Sequence, residues 1–249
     1  MINYKEFFGI DSPLKDILPG YNPRIEQEQM AQAVSDAIKN SDKLVVEAGT
    51  GTGKTFAYLI PALMSSQKTI ISTGTKSLQD QLYHRDLPLV GKALGRPIVT
   101  ALLKGRENYL CPNRLDQLTD IPDSLINDLQ EVQKWRHLTK SGDKAELIKV
   151  PEYSPIWSLV TSNKDSCLGK KCPKCFASKA RKKAQEADLV VVNHHLLLSD
   201  LAMKESGFLD FLPSVDVFII DEAHQIPDLA IQFFGVSVGS RELEKIVDE

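Results

Sequence analysis

The string AGTGTGKT, Ala48 to Thr55, stands between a short β-branched run, LVVEA, and an apolar stretch, FAYLIPALM. Glycines at 49, 51 and 53 allow a tight turn whose backbone amides point inward, and a helix starting directly afterwards adds its partial positive charge. Ala48, Gly49, Thr50, Gly51, Thr52 and Gly53 then form a cradle suited to phosphate groups. Lys54 is placed to reach the β- and γ-phosphates, and the Thr55 hydroxyl to sit on magnesium. A ligand-free glycine turn requires neither the preceding strand nor the Lys and Thr, and here all coincide. One departure from the general pattern is Ala48, where glycine is usual.

A loop of this kind needs a strand before it and a sheet around it. Further apolar, β-branched runs follow: KTIIST (68–73), PIVTALL (97–103), DLVVVN (188–193) and VDVFIID (215–221). Helical stretches separate several of them, so the expected fold is three-layer α/β, a parallel sheet with ligands gathered at the carboxyl ends of its strands. Upstream, Ile25, Met30, Ala33, Val34, Ala37 and Ile38 predict a one-sided helix over 24–39. Residues 106 to about 181 break the rhythm with a polar helical run and a Lys- and Pro-bearing loop. They read as an insertion between 1–105 and 182–249.

The last run ends in FIIDEAH. A magnesium nucleotide site needs a carboxylate on a neighbouring strand and a base for the attacking water. Asp221 is placed to hold the metal and Glu222 to polarise the water, with His224 two residues on. The phosphate loop about 170 residues upstream makes an ordinary exposed strand end the poorer reading of this string.

With 249 residues, 42% hydrophobic and 25% charged, the chain has the composition of a globular protein. It has no basic start followed by an apolar run and no segment of about 18 uninterrupted apolar residues, so a cytoplasmic protein is expected. The net charge of -3 gives no global case for binding nucleic acid. Locally, residues 164–183 carry eight basic side chains against Asp165. Four cysteines occur, Cys111, Cys167, Cys172 and Cys175. Their spacing suits a zinc site and an iron-sulfur cluster equally.

AGTGTGKT together with DEAH resembles the superfamily 2 helicases, and the wider pattern is similar to their DinG/XPD branch, closest to the bacterial YoaA subgroup. YNPRIEQEQM (21–30) resembles the branch's adenine-recognition motif, which implies Gln27 on the adenine edge with Arg24 nearby. STGTKSLQDQL (72–82) looks like motif Ia, implying that Thr75 touches the DNA backbone. LLKGRENYLC (102–111) and ADLVVVNHHLLL (187–198) are further branch-like strings.

The resemblance implies a RecA-like first motor domain bearing an inserted, mainly helical iron-sulfur domain. It implies ATP and Mg2+ as cofactors, with a [4Fe-4S] cluster on Cys111, Cys167, Cys172 and Cys175. The two-residue gap between the last two cysteines is shorter than is usual in the branch. Lys179, Arg181, Lys182 and Lys183 of FASKARKKA would lie along single-stranded or forked DNA. The implied activity is ATP-driven DNA translocation and unwinding with 5′ to 3′ polarity, in repair or replication. Only 25 residues follow His224, so the motor domain is expected to be incomplete here and the chain alone to unwind nothing. Two other readings stay open: a cluster-bearing module that binds DNA or a partner without turnover, and a motor acting on RNA. No second acidic cluster with two-metal spacing supports a nuclease.

Overall fold

The structure is a computed structural model that describes residues 3–49, 51–163, 167, 172, 174–205 and 211–236. Four of the expected runs form strands: β1 (Thr69–Thr73), β2 (Thr100–Leu102), β3 (Leu189–Asn193) and β4 (Val217–Ile220). They make one parallel sheet in the order β2-β3-β1-β4. β1 is paired on both edges, with Ser72 opposite Val192 on one side and Ile220 on the other.

Side chains alternate across this sheet with the period of two that strands impose. Ile71, Leu189 and Val191 enter a core shared with Ala31, Val34, Ile38 and Leu59. Ile70, Val190 and Val192 enter a second core with Ala101, Ala184 and Leu197 on the opposite face. The helices Ile25–Asn40 and Lys54–Met64 cover the first face, and Phe176–Glu186 and His194–Glu205 cover the second. The parallel sheet flanked by helices is therefore as expected.

The LVVEA run departs from expectation. Residues 43–48 carry no sheet pairing, and Val45 is 96% exposed. β-Branched composition supplies the propensity for a strand, but a strand is a paired object. None of the described residues offers 43–48 a ladder. The buried stripe of the Ile25–Asn40 helix also differs: it runs through Gln27, Ala31, Val34 and Ile38, while Ile25 is exposed.

A third core belongs to 109–177, where Leu110, Val132, Trp135, Ile156, Trp157 and Phe176 pack together. The polar run at 123–139 contains the helix Ile126–Arg136, whose Val132 and Trp135 point into this core. One buried cation ties this region to the sheet. Lys104, just past β2, has a side chain only 2% exposed, with Nζ 2.8 Å from Asp80 and 2.7 Å from Asp143. Burial alone would pull its pKa down, but the two carboxylates outweigh that and leave it raised.

Removing one member of a buried ion pair strands the others and costs about 3–5 kcal/mol. Lys104→Met is expected to fall at the lower end of that range, because Asp80 is partly exposed. Urea unfolding at neutral pH would measure it; a loss below about 1 kcal/mol would show the contact to be dispensable.

Candidate nucleotide site

Gly51 and Gly53 adopt φ of +80° and +81°, the left-handed region that L side chains avoid. Gly53 is the N-cap of the Lys54–Met64 helix, so the loop ends with that helix's first amides facing out of it. Within the loop, Lys54 Nζ donates to the Ala48 carbonyl at 3.0 Å and Thr52 Oγ1 to Gly49 at 2.9 Å. Thr50 lies outside the described residues.

The residues expected to read adenine lie against this loop. Gln27 is 5% exposed, and its Nε2 donates to the Gly53 carbonyl at 3.0 Å. A Cβ added at Gly53 would sit 2.2 Å from that nitrogen, so this glycine is required twice, by conformation and by space. Arg24 Nη1 lies 3.8 Å from the place of a Cβ on Gly51.

From the other side comes the DEAH turn. The Asp221 amide donates to the Ser72 carbonyl at 2.9 Å, extending the β1–β4 ladder by one residue. Its carboxylate then meets the loop's helix, with the Tyr58 hydroxyl 3.3 Å from Asp221 Oδ2. The Thr55 side chain, one turn earlier on that helix, acts on the same hydroxyl and opposes the rise in its pKa. Tyr58 therefore links Asp221 to the helix that begins with Lys54 and Thr55. Burial, then the charge of Glu222, raises Asp221 above the usual carboxylate range, while Lys54 acts electrostatically in the opposite direction. Burial first, then Asp221, holds the Tyr58 hydroxyl well above its ordinary value.

Glu222 occupies the left-handed region itself, φ 53° and ψ 43°, which costs a residue with a side chain about 1–2 kcal/mol. Such conformations gather at functional sites. Its carboxylate is partly exposed and lies 3.5 Å from His224 Nδ1, whose ring is mostly exposed.

The remaining expected residues are spread more widely. Thr75 caps the Lys76–Gln81 helix, its hydroxyl accepting from Leu78 N at 3.2 Å, which leaves the hydroxyl hydrogen free to donate. The four basic residues of the Phe176–Glu186 helix do not share one face. Lys179 and Lys183, four apart, line a cleft of about 380 Å³ together with Asp80, Asp143 and Glu146. Arg181 turns into another of about 400 Å³, its guanidinium 3.9 Å from the centre of the Phe211 ring. Lys182 is exposed, 3.9 Å from Glu186.

All four cysteines are free and partly buried. Burial raises the Cys172 thiol, and Cys175, Cys111 and Cys167 all add to that, which places those three within electrostatic reach of Cys172. Among the described residues no three side chains stand in a metal-ligating arrangement. Lys164, Lys170 and Lys171 lie outside the described residues.

The DEAD/DEAH box helicase family matches residues 27–142, and the DEAD_2 family residues 129–243. The chain belongs to the DEAD/DEAH box helicases. It is 54% identical over 243 residues to the ATP-dependent DNA helicase YoaA of Escherichia coli (strain K12), covering 95% of this chain and 38% of that relative. YoaA of Haemophilus influenzae matches to the same extent. The ATP-dependent helicase DinG of Mycobacterium tuberculosis is 36% identical over 265 residues, covering 92% of this chain and 39% of its own. The chain thus spans less than two fifths of these helicases. A solved XPD helicase structure aligns with 84% of this chain and 34% of its own, at 16% identity and a TM-score of 0.49.

Tyr58 was not legible as a candidate site residue in the sequence, because FAYLIPALM scans as a uniformly apolar helix. The signal is its position: three residues after Thr55, one helical turn on, a tyrosine is carried back over the loop. Tyr58→Phe deletes the hydrogen bond that orients Asp221. Partners that orient metal ligands are worth about 10- to 100-fold in metal affinity. The Mg2+ concentration for half-maximal ATPase is expected to rise by about 10-fold; an unchanged Mg2+ requirement would refute the role.

Asp221 also carries a stability cost whose sign follows from its raised pKa. An acid that titrates higher in the folded state destabilises the fold once ionised, fully above its folded pKa and not at all below about 3.9, its unfolded value. Asp221→Asn is expected to raise the melting temperature of nucleotide-free protein at pH 7 and leave it unchanged near pH 3. A lower melting temperature at pH 7 would reverse the sign.

Proposed function

We propose that this chain is the ATP-binding part of an ATP-dependent DNA helicase, and that hydrolysis takes place between the phosphate loop and the DEAH turn. The observation that carries the reading is the hydrogen bond from Tyr58, on the helix that follows the phosphate loop, to Asp221 at the tip of the acidic strand. It supports a shared nucleotide and metal site between the loop and that strand tip. In this reading the loop amides of residues 49–53 hold the phosphates. Lys54 exchanges the Ala48 carbonyl for phosphate oxygens, and Thr55 and Asp221 hold Mg2+, which neutralises the charge developing on the transferred group. Glu222 orients and deprotonates the attacking water. Gln27 and Arg24 select adenine beside the loop, and His224 fixes the Glu222 carboxylate.

The same reading divides the chain into motor segments 1–105 and 182–249 around an insert at 106–181, in agreement with the separate core of 109–177. The donor set, four free thiols of which three act electrostatically on Cys172, supports a [4Fe-4S] cluster on Cys111, Cys167, Cys172 and Cys175, which would tie the insert's ends together. The DNA strand is taken as single-stranded, reaching from Thr75 to the clefts that Lys179, Lys183 and Arg181 border, with Lys182 on the rim. The name of the YoaA relatives supports DNA as the substrate. Among the described residues no helix is long and apolar enough to cross a membrane, which agrees with a cytoplasmic place of action.

The test is ATPase activity of the full-length protein with and without single-stranded DNA. Lys54→Ala is expected to lose both nucleotide binding and turnover. Glu222→Gln is expected to retain nucleotide binding while turnover falls by about 10²-fold or more, the scale of a positioned general base. Equal, DNA-stimulated rates for wild type and Glu222→Gln would exclude this mechanism. For the insert, anaerobically purified protein should absorb broadly near 400 nm, and Cys172→Ser should lose that absorbance. Stoichiometric zinc with no such absorbance would replace the cluster by a zinc site.

A further inference from the structure

His194 is the first residue of the His194–Glu205 helix and directly follows β3. It is fully buried, although imidazole is a polar ring with two nitrogens to satisfy. Nδ1 lies 2.7 Å from Ser72 Oγ. Nε2 is buried and has no hydrogen-bond partner among the described residues. The backbone of Asp221 and Glu222 faces the same ring.

Ser72 occupies a crossing point. Its carbonyl accepts from the Asp221 amide, its hydroxyl meets His194, and Thr73, Gly74 and Thr75 follow it directly. The two segments touch a second time, because a Cβ on Gly74 would fall inside the Gln225 carboxamide, one residue past His224. The end of β1 and the DEAH turn are therefore a single packed unit. The imidazole fills the space behind it.

We infer that His194 is a positioning residue that couples the strand leading to Thr75 with the conformation of the DEAH turn. In the tautomer whose Nδ1 accepts from the Ser72 hydroxyl, the ring's hydrogen stands on Nε2, and the backbone of Asp221 and Glu222 in the DEAH turn lies within electrostatic reach of the ring. A buried donor without an acceptor is a poised contact. Glu222 is held in a left-handed conformation, so a rearrangement of the turn would relieve backbone strain. A small rotation of the turn presents one of its carbonyls to Nε2–H and re-aims the Glu222 carboxylate. A shift of β1, as DNA contact at Thr75 would produce, moves Ser72 and with it the ring. His194 touches neither nucleotide nor DNA; it acts through Ser72 on one side and the turn backbone on the other.

The inference rests on the helicase reading, and the experiment separates the two. In the full-length protein, His194→Asn keeps a polar atom near the Nδ1 position for Ser72 and deletes the Nε2 donor, whereas His194→Gln keeps a donor near Nε2. His194→Asn is expected to lower DNA-stimulated kcat by about 10-fold or more, the scale of residues that orient a reacting group from behind. Its affinity for ATP and for single-stranded DNA should stay within about twofold, and His194→Gln should recover most of the rate. Melting temperatures are read alongside. If His194→Asn is stimulated by DNA as well as wild type, this inference fails and the helicase reading stands. Equal losses of rate and melting temperature in both variants would make His194 a packing residue only, which also overturns it. A wild-type protein without DNA-stimulated ATPase would overturn both.

Discussion

Strand β1 is buried at all five positions and hydrogen-bonded along both edges, and every element of the candidate site is placed by where it ends. On one side the register sets Thr73 against Asn193, so that the β3 chain turns into its helix at the same height. On the other, Ser72 against Ile220 delivers Asp221 to the strand tip. Parallel pairing puts all three carboxyl ends at one edge, which is why α/β sheets bind ligands there. Shifting β4 by one residue would turn Asp221 to the other face and remove it from Tyr58. The chemistry of the site therefore depends on a ladder made of ordinary valine, isoleucine and threonine.

Against that ladder, the phosphate loop is held by contacts that are individually small. Gln27 reaches across from the Ile25–Asn40 helix to the Gly53 carbonyl, and Tyr58 reaches from the loop's own helix to Asp221. Both are side chains on buried helical faces whose polar ends emerge at the site. Because the apolar parts of these helices pack on the sheet core, the polar ends are positioned by hydrophobic burial. The insert is joined to the same framework by polar links. Gln79 donates to the Leu103 carbonyl just past β2 and to the Val191 carbonyl in the middle of β3, and the adjacent Asp80 meets Lys104, which also holds Asp143. Any displacement of the 109–177 core is transmitted to the helix that Thr75 caps.

Patterns that need only neighbouring residues were legible in the sequence. The glycine loop, the four paired strands and the acidic strand tip each carry a local signature, and the structure puts them together at one place. What was not legible depends on partners distant in sequence. LVVEA has strand composition but no ladder, so its pairing lay beyond local reading. Gln27 was reached only through the family resemblance, and its burial shows once the stripe Gln27, Ala31, Val34, Ile38 is set against the loop. The basic run 179–183 reads as one charged surface, yet at 100° per residue a helix sends Arg181 to one cleft and Lys179 with Lys183 to another. Lys104 and His194 give no local sign at all, because burial of a charge or an imidazole is decided by the whole fold.

Two features of the site are unfavourable by themselves: Asp221 is half-buried beside Glu222, and Glu222 bears a backbone conformation that disfavours side chains. Neither is explained by stability. An asparagine would remove the charge repulsion at the first position, and a glycine would relieve the backbone at the second. Their cost is intelligible if a divalent cation and a polyanion are brought to the turn, since a cation offsets the repulsion between the two carboxylates and lowers the raised pKa. The strain at this turn would then be what ligand binding relieves. Under the proposed function, a rigid sheet holding such a turn would let binding energy reach the elements attached to Ser72.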